Sequence, residues 1–218
     1  MTAPAQDLWV VKIGGSVAGT PDLLRGWLAA LAGGAGRVVL VPGGGPFADA
    51  VRDAQASLGF DDGTAHHLAL LAMEQYGRAL CALAERLAPA ASLADLTARR
   101  LEGRVPVWMP VPLTLGAPEV PASWEVTSDS LSAWLAGRLR ARRLVLIKSA
   151  PRPPDGLPLG EAMAGDLVDP AFRRFLPPDC TACCLGPGDA GLLAAALADR
   201  VELPGRLARE RARRLAPV

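Results

Sequence analysis

Leu8-Trp9-Val10-Val11-Lys12-Ile13-Gly14-Gly15-Ser16 is the stretch whose reading decides the fold. A short apolar run closes on a lysine and opens into glycines, the pattern of a buried strand whose C-terminal end faces a ligand. The same grammar returns at Leu144-Val145-Leu146-Ile147-Lys148-Ser149. Of the 23 basic residues only Lys12 and Lys148 are lysines; the other cations are arginines. Against that arginine bias, a lysine at the end of each of two predicted strands reads as selected chemistry. A compact ammonium on a flexible stem follows a moving phosphoryl group better than a planar guanidinium. The alternative is that both are ordinary surface positions.

Composition narrows the class. The chain has 218 residues, enough for one large domain or two small ones, and its formal net charge is +1. That balance gives no reason to expect nucleic acid or an anionic membrane as the main partner. Hydrophobic residues make up 50% of the chain and aromatic residues 5%, a balance weighted toward alanine and leucine. A helix-rich α/β protein with small packed side chains is expected. The best candidate for a membrane span, His67 to Leu87, is interrupted by Glu74, Arg78 and Glu85. Met1 to Asp7 lacks the charged-then-apolar order of a signal peptide, so a cytoplasmic location is the default expectation. Cys180, Cys183 and Cys184 cluster, and Cys81 lies in a helical pattern; without a second ligand pair they read as buried thiols, with a metal or redox pair as the alternative.

Strand-like runs recur at Leu8–Ile13, Arg37–Val41, Val105–Trp108, Arg143–Lys148 and Thr181–Leu185. Helical patterns lie between them at Pro21–Leu31, Pro46–Leu58, Thr64–Leu87, Ser128–Ala141 and Asp189–Ala198. This alternation predicts a three-layer αβα sandwich around a mainly parallel sheet. Ala150–Gly160, rich in proline, reads as a loop that separates an N-terminal portion of about 1–149 from a smaller C-terminal portion of about 150–218 within one domain. The arginine-rich tail Gly205–Val218 reads as a solvated helix, a subunit contact or a partly disordered end.

Three segments carry the chemistry. Gly14-Gly15-Ser16 and Gly43-Gly44-Gly45 follow the first two strands at equivalent ends, where absent Cβ atoms let backbone N–H groups reach phosphate oxygens. Pro46 then reads as the first residue of a helix whose N-terminus adds donors and a favourable dipole. Plain tight turns would call for the same glycines. Neither a G-x-x-x-x-G-K-S/T loop nor a G-x-G-x-x-G turn after a strand is present, so the phosphate site belongs to neither of those types. The third segment, Trp124-Glu125-Val126-Thr127-Ser128-Asp129-Ser130-Leu131, places Thr127 or Ser128 as a helix cap and Asp129 in the first turn. An acid there is also an ordinary helix-start residue.

Together these segments resemble the amino acid kinase family, over roughly Leu8 to Ser149. The resemblance implies that Lys12 with Gly14, Gly15 and Ser16 surrounds the transferred phosphoryl group, that Gly43, Gly44 and Gly45 cradle the acceptor side, and that Asp129 orients the catalytic lysines. Pro42-Gly43-Gly44-Gly45-Pro46-Phe47-Ala48, His66-His67-Leu68-Ala69 and Trp124 through Leu131 are similar to the branch that phosphorylates the aminomethylfuran phosphate intermediate of methanofuran synthesis. In one place the chain departs from the family. Relatives carry a Thr-Asp-Val-Asp-Gly-type nucleotide segment where this chain reads Ile147-Lys148-Ser149-Ala150-Pro151 before Asp155-Gly156. Lys148 is either the second catalytic lysine or a nucleotide-loop residue outside the chemistry.

The resemblance implies ATP and Mg2+ as cofactors, with no residue assigned as a metal ligand, and a phosphate acceptor converted to a diphosphate. On that reading Lys12, Asp129 and Lys148 are catalytic. Ser149, Asp155 and Gly156 join the first glycine loop on the nucleotide side, and His67, Trp124, Thr127 and Ser128 join the second loop on the acceptor side. Glu74, Glu125 and Trp124 are candidates to meet an acceptor ammonium; His66 and His67 are candidates to touch an acceptor phosphate, though a histidine pair opening a helix is more often ordinary surface or capping, and Asp61 and Asp62 read as solvated turn residues. Isoprenoid phosphate, nucleoside monophosphate or an acylamino acid are alternative acceptors. A nucleotide-binding sensor or storage protein without turnover is the alternative from another class. The family is commonly dimeric or larger, and the Thr64–Leu87 helix would serve as a homo-oligomer contact or as a layer within one subunit.

Overall fold

A computed structural model of the chain describes residues 7–209. Six strands form one sheet in the order β3-β4-β2-β1-β5-β7, every pair parallel. They are β1 (Trp9–Ile13), β2 (Val38–Pro42), β3 (Leu87–Ala90), β4 (Val105–Trp108), β5 (Arg143–Ile147) and β7 (Thr181–Leu185). The pair β6 (Leu157–Pro158) and β8 (Leu207–Ala208) lies apart as a small parallel ladder. The main helices are α1 (Pro21–Ala32), α2 (Gly45–Leu58), α3 (Asp62–Leu83), α4 (Leu93–Leu101), α6 (Ser128–Leu139) and α9 (Ala190–Leu197), with short turns α5 (Val111–Thr114), α7 (Leu159–Ala164) and α8 (Phe172–Phe175).

The apolar runs are continuous because both faces of a parallel sheet are covered. On one face Val10, Val41, Leu144 and Leu146 pack with Leu131 and Leu135 of α6, Leu96 of α4 and Phe172 of α8. On the other, Trp9, Val11, Ile13, Val145 and Ile147 pack with Leu24, Trp27 and Leu31 of α1 and Leu193 and Leu197 of α9. The period of two assigns the next residues without ambiguity: Lys12 shares the face of Val10, and Lys148, just beyond β5, shares that of Leu146. Register places Lys12 opposite Leu146 and Leu146 opposite Cys184. Both lysines therefore face α6 at the C-terminal edge of the central strands.

Three expectations need correction. Ala150–Gly160, read as a loop, ends in the strand β6 and the first residues of α7. The helix expected over Thr64–Leu87 runs instead from Asp62 to Leu83, and Leu87 opens β3, an extra strand followed by an extra helix, α4. Pro89 hides that strand in the sequence, yet a sheet edge tolerates a residue without N–H, and β3 is the edge with Pro89 exposed. The start of the C-terminal tail is ordered by strand pairing: Leu157 and Pro158 register with Leu207 and Ala208. The rest of the tail from residue 210, and residues 1–6 of the N-terminal stretch, lie outside the described residues. Among the described residues no helix is long and apolar enough to cross a membrane. Cys180, Cys183 and Cys184 are buried free thiols, pushed by burial up to about 12, 11 and 12 respectively.

Candidate active site

The carboxylate of Asp129 joins the two lysines. Lys12 Nζ lies 3.0 Å from Asp129 Oδ1, and Lys148 Nζ donates to Oδ2 at 2.5 Å. Lys12 is 6% exposed and Asp129 4%, so this charge cluster is almost fully withdrawn from water. Burial alone would push the Asp129 carboxyl up, but the ammonium groups of Lys12 and Lys148 outweigh it and hold the acid below its ordinary range. Burial pulls the Lys12 ammonium below the ordinary lysine range, with Lys148 adding to the fall and Asp129 opposing it. The trio of Lys12, Asp129 and Lys148 brings two cations and one acid to the strand ends, an arrangement suited to a phosphoryl group.

Local sequence explains how Asp129 arrives there. Thr127 is the N-cap of α6, its hydroxyl accepting weakly from Asp129 N at 3.5 Å. Asp129 thus sits in the first turn, where a negative charge meets the favourable end of the helix dipole. Ser132 Oγ donates to the Asp129 carbonyl at 2.6 Å. The sequence reading missed a further acid: buried Asp169, just before α8, accepts from Thr127 N and Oγ1, both at 2.8 Å, from Ser130 N at 3.0 Å, and from Ser130 Oγ.

The two glycine loops interlock. A Cβ on Gly15 would stand 2.1 Å from Gly45 N, and one on Gly43 would stand 2.6 Å from Gly15 N. Gly14 N donates to Ile147 O and Gly43 N to Ile13 O, each at 2.9 Å, so these two donors hold the loops to the sheet. Free donors come from the start of α2. The first helical bond runs from Ala48 N to Gly44 O, which leaves the N–H groups of Gly44, Gly45 and Phe47 ahead of it without helical partners.

Beside the loops opens a cavity of about 260 Å³. Gly15, Ser16, Gly44 and Gly45 of the two loops line it, Leu70, Met73, Val126 and Leu131 supply apolar wall, and Trp124, Thr127 and Ser128 complete it, with Asp49, Arg52, Asp62 and His66 as polar groups. Trp124 is fixed on both sides: its Nε1 donates to Gln55 Oε1 at 2.7 Å, and the Arg52 guanidinium lies 4.4 Å from its ring centroid.

Several expected acceptor-side residues thus meet. His67 does not: His66 lines the cavity, because one step along a helix turns a side chain by about 100°. Burial, with help from His67, pulls the His66 imidazole below its usual range. Glu74 is committed elsewhere, Oε1 accepting from Val111 N at 3.0 Å, and Glu125 is exposed. The acids at the cavity are Asp49 and Asp62 instead. Asp61, read as a solvated turn residue, caps α3 by accepting from Thr64 N at 2.7 Å.

Among the residues expected on the nucleotide side, Ser149 Oγ accepts from Ser16 Oγ at 2.9 Å, tying the strand end of β5 to the first glycine loop. Asp155 and Gly156 do not join it. Asp155 Oδ1 accepts from Arg206 N at 3.0 Å and Gly156 N donates to Arg206 O at 2.8 Å, so both hold the β6–β8 ladder. Among the described residues no three His, Cys, Asp or Glu side chains converge on a possible metal position.

The sequence pattern of the family described as "Amino acid kinase family" matches residues 7–152. The chain belongs to the amino acid kinase family. That segment includes Lys12, both glycine loops, Asp129 and Lys148. A curated relative, [5-(aminomethyl)furan-3-yl]methyl phosphate kinase of Methanocaldococcus jannaschii, is 28% identical over 138 residues; the matched part spans 63% of this chain and 63% of that protein. Crystal structures of the family's fold superpose well. Uridylate kinase from Archaeoglobus fulgidus gives a TM-score of 0.63 at 16% identity, covering 87% of this chain and 95% of that one. Aspartate kinase from Synechocystis gives 0.62 at 15% identity, covering 94% of this chain and 40% of the larger enzyme. At these identities the likeness shows the amino acid kinase fold.

Proposed function

We propose that the chain is an ATP-dependent kinase that transfers the γ-phosphoryl group to the phosphate of a small acceptor, giving a diphosphate, and that the acceptor is an aminomethylfuran phosphate. The single observation that carries the transfer chemistry is the buried Lys12–Asp129–Lys148 cluster at the strand ends beside the cavity. The relative from M. jannaschii supports the acceptor.

Phosphoryl transfer needs in-line positioning and charge neutralisation more than covalent help. An acceptor phosphate oxygen is already an anion at neutral pH, so no general base is required. Its lone pair attacks the γ-phosphorus, a new P–O bond forms, and the bond to the β,γ-bridging oxygen breaks, its electron pair leaving with ADP. Lys12 neutralises charge on the transferred group, while Asp129 holds the ammonium in place and Lys148 supports the leaving side. Mg2+ bound to the nucleotide supplies further charge neutralisation. The ends of β5 and β7, where Lys148 N donates to Leu185 O, Gly186 N donates to Asp189 Oδ2 and Arg152 pairs with Asp189 at 2.6 Å, form the nucleotide side in this reading.

The cavity chemistry matches a small, partly apolar phosphate with a cationic end. Leu70, Met73 and Leu131 offer contact for a ring, the start of α2 offers donors to a phosphate, and Asp62 offers a carboxylate to an ammonium. His66, pulled toward its neutral form, contributes a hydrogen bond without adding charge. The test is to incubate the protein with MgATP and a panel of acceptors: the furan phosphate, an isoprenoid phosphate, nucleoside monophosphates and an acylamino acid. ADP and product are followed by mass spectrometry. A diphosphate formed from the furan alone supports the reading; transfer to another acceptor moves the substrate; nucleotide binding without transfer to any acceptor overturns the kinase.

A further inference from the structure

Asp129 can bridge two lysines only if the first turn of α6 is held in place, and its own cap is weak. The Thr127 hydroxyl sits 3.5 Å from Asp129 N, at the limit of a hydrogen bond. The firm attachment comes from a residue about forty positions downstream. One carboxylate, Asp169, accepts from Thr127 N, Thr127 Oγ1, Ser130 N and Ser130 Oγ, four donors that flank Asp129 in sequence on both sides. It is 9% exposed, and Ala171 N, two residues on, donates to Glu125 O at 3.3 Å, so the segment before α8 is stitched along the whole entry to α6. Such a carboxylate replaces the missing helical partners at an N-terminus and is itself favoured there by the dipole.

The arrangement is unusual in what it costs. Burial pushes the Asp169 carboxyl up, and the neighbouring Asp129 charge pushes in the same direction, against the hydrogen bonds from Ser130 and Thr127. A neutral cap would hold a helix end without placing a second acid near the first. Three of the four donors converge on Asp169 Oδ2 and Ser130 Oγ takes Oδ1, so this carboxylate is spent on the entry to α6, while Asp129 is the acid in direct contact with both lysines.

We infer that Asp169 is a positioning residue for phosphoryl transfer: it clamps Thr127 and Ser130 so that Asp129 between them meets Lys12 and Lys148 together. The inference rests on the kinase reading for its catalytic consequence, while its geometric content stands apart from it. The same clamp fixes Thr127 and Ser128 on the acceptor wall, so the C-terminal part of the chain sets the geometry of a site built from the N-terminal part.

The chain's composition supplies the probe. With only two lysines in the sequence, a spectrum of 15N,13C-lysine-labelled protein contains just two side-chain ammonium signals, and both report on Asp129. In Asp169→Asn, close in size but uncharged and turning an amide against donors, both signals are expected to shift. kcat is expected to fall roughly tenfold to a hundredfold, the scale of a small misplacement of catalytic groups, with KM for ATP within about twofold of the original. If that variant does not fold, Ser130→Ala removes one of the four donors and keeps the carboxylate; a smaller shift of both signals and a fall of a few fold in kcat are expected. Lysine signals and kcat at their original values in a folded variant overturn the inference. A kcat loss with unmoved lysine signals also overturns it, since the effect then bypasses Asp129. Absence of any transfer by the unaltered protein overturns the kinase reading alone, because the lysine signals still read the clamp.

Discussion

Gly15 and Gly45 meet backbone to backbone: a Cβ on Gly15 would lie 2.1 Å from the Gly45 nitrogen and 2.4 Å from its Cα. No side chain can yield at such a contact, so Gly15→Ala must part the two loops. The expected cost is about 1–3 kcal/mol of stability, as in an overpacked core, with loss of transfer as the α2 donors move. Gly19→Ala is the control, because a Cβ there meets nothing within 4 Å; its stability should stay within about 0.5 kcal/mol of the original. Thermal melts and turnover of the two variants check the contrast.

Replacing Lys12 separates chemistry from binding. Lys12→Met retains most of the stem and removes the charge that, in the proposed mechanism, answers the transferred group. We expect kcat to fall by roughly 10²–10³-fold, the loss typical of one electrostatic donor, while ATP affinity by calorimetry changes little. Lys148→Met tests the second lysine: an equal fall in kcat places it in the chemistry, whereas a rise in KM for ATP with kcat retained makes it a nucleotide contact.

How much of this was legible in the sequence follows from where each signal is encoded. Lys12 and Asp129 were legible because their cues are local, a lysine ending an apolar strand and an acid opening a helix. The strand end at Lys148 was equally visible, but its meeting with Lys12 on one carboxylate depends on the β1–β5 register, which no local pattern states. Asp169 was invisible for the same reason: its neighbours are irregular, and the helix it caps lies about forty residues earlier. Asp155 misled because an Asp-Gly pair near a strand end serves a turn as readily as a nucleotide; here its partner is Arg206 in the β6–β8 ladder. β3 escaped because Pro89 argues against a strand anywhere except at an edge, and edge position is a property of the assembled sheet.

The pH response of the cluster has a definite sign. The Asp129 carboxyl is depressed in the folded protein, so its contribution to stability is present above its unfolded value, about 4, and is lost as pH falls through the lower folded value. Asp129→Asn leaves two cations without their acid and should cost about 3 kcal/mol near neutral pH. The gap between the two proteins should narrow as melts are repeated below about pH 4. Lys12 works at the opposite end. Burial depresses its ammonium, so transfer should fail on the alkaline side below the ordinary lysine value of about 10.4. Because Asp129 raises the Lys12 value, Asp129→Asn should shift that alkaline limb to still lower pH in whatever activity survives.

Asp62 offers the sharpest test of the acceptor. It lines the cavity and is exposed, and Gln55 Nε2 donates to its Oδ1 at 2.9 Å while Gln55 Oε1 receives the Trp124 indole, so the carboxylate is held by the same side chain that holds the aromatic wall. If the acceptor carries an ammonium, Asp62→Asn removes a charge-assisted hydrogen bond, for which about 1.5 kcal/mol at this exposed position corresponds to roughly a tenfold rise in KM. An acceptor analogue with a hydroxymethyl group in place of the aminomethyl group has no ammonium to lose. Its KM should already be high with the unaltered protein and should change little in the variant. Equal KM values for the amine and the alcohol in the unaltered protein would show that nothing in this cavity reads the amine, and Asp62 would then serve only to hold Gln55. A tenfold preference that vanishes in Asp62→Asn would tie amine recognition to a single carboxylate, since Asp49, the other acid at the cavity, is paired with Arg52 at 3.0 Å.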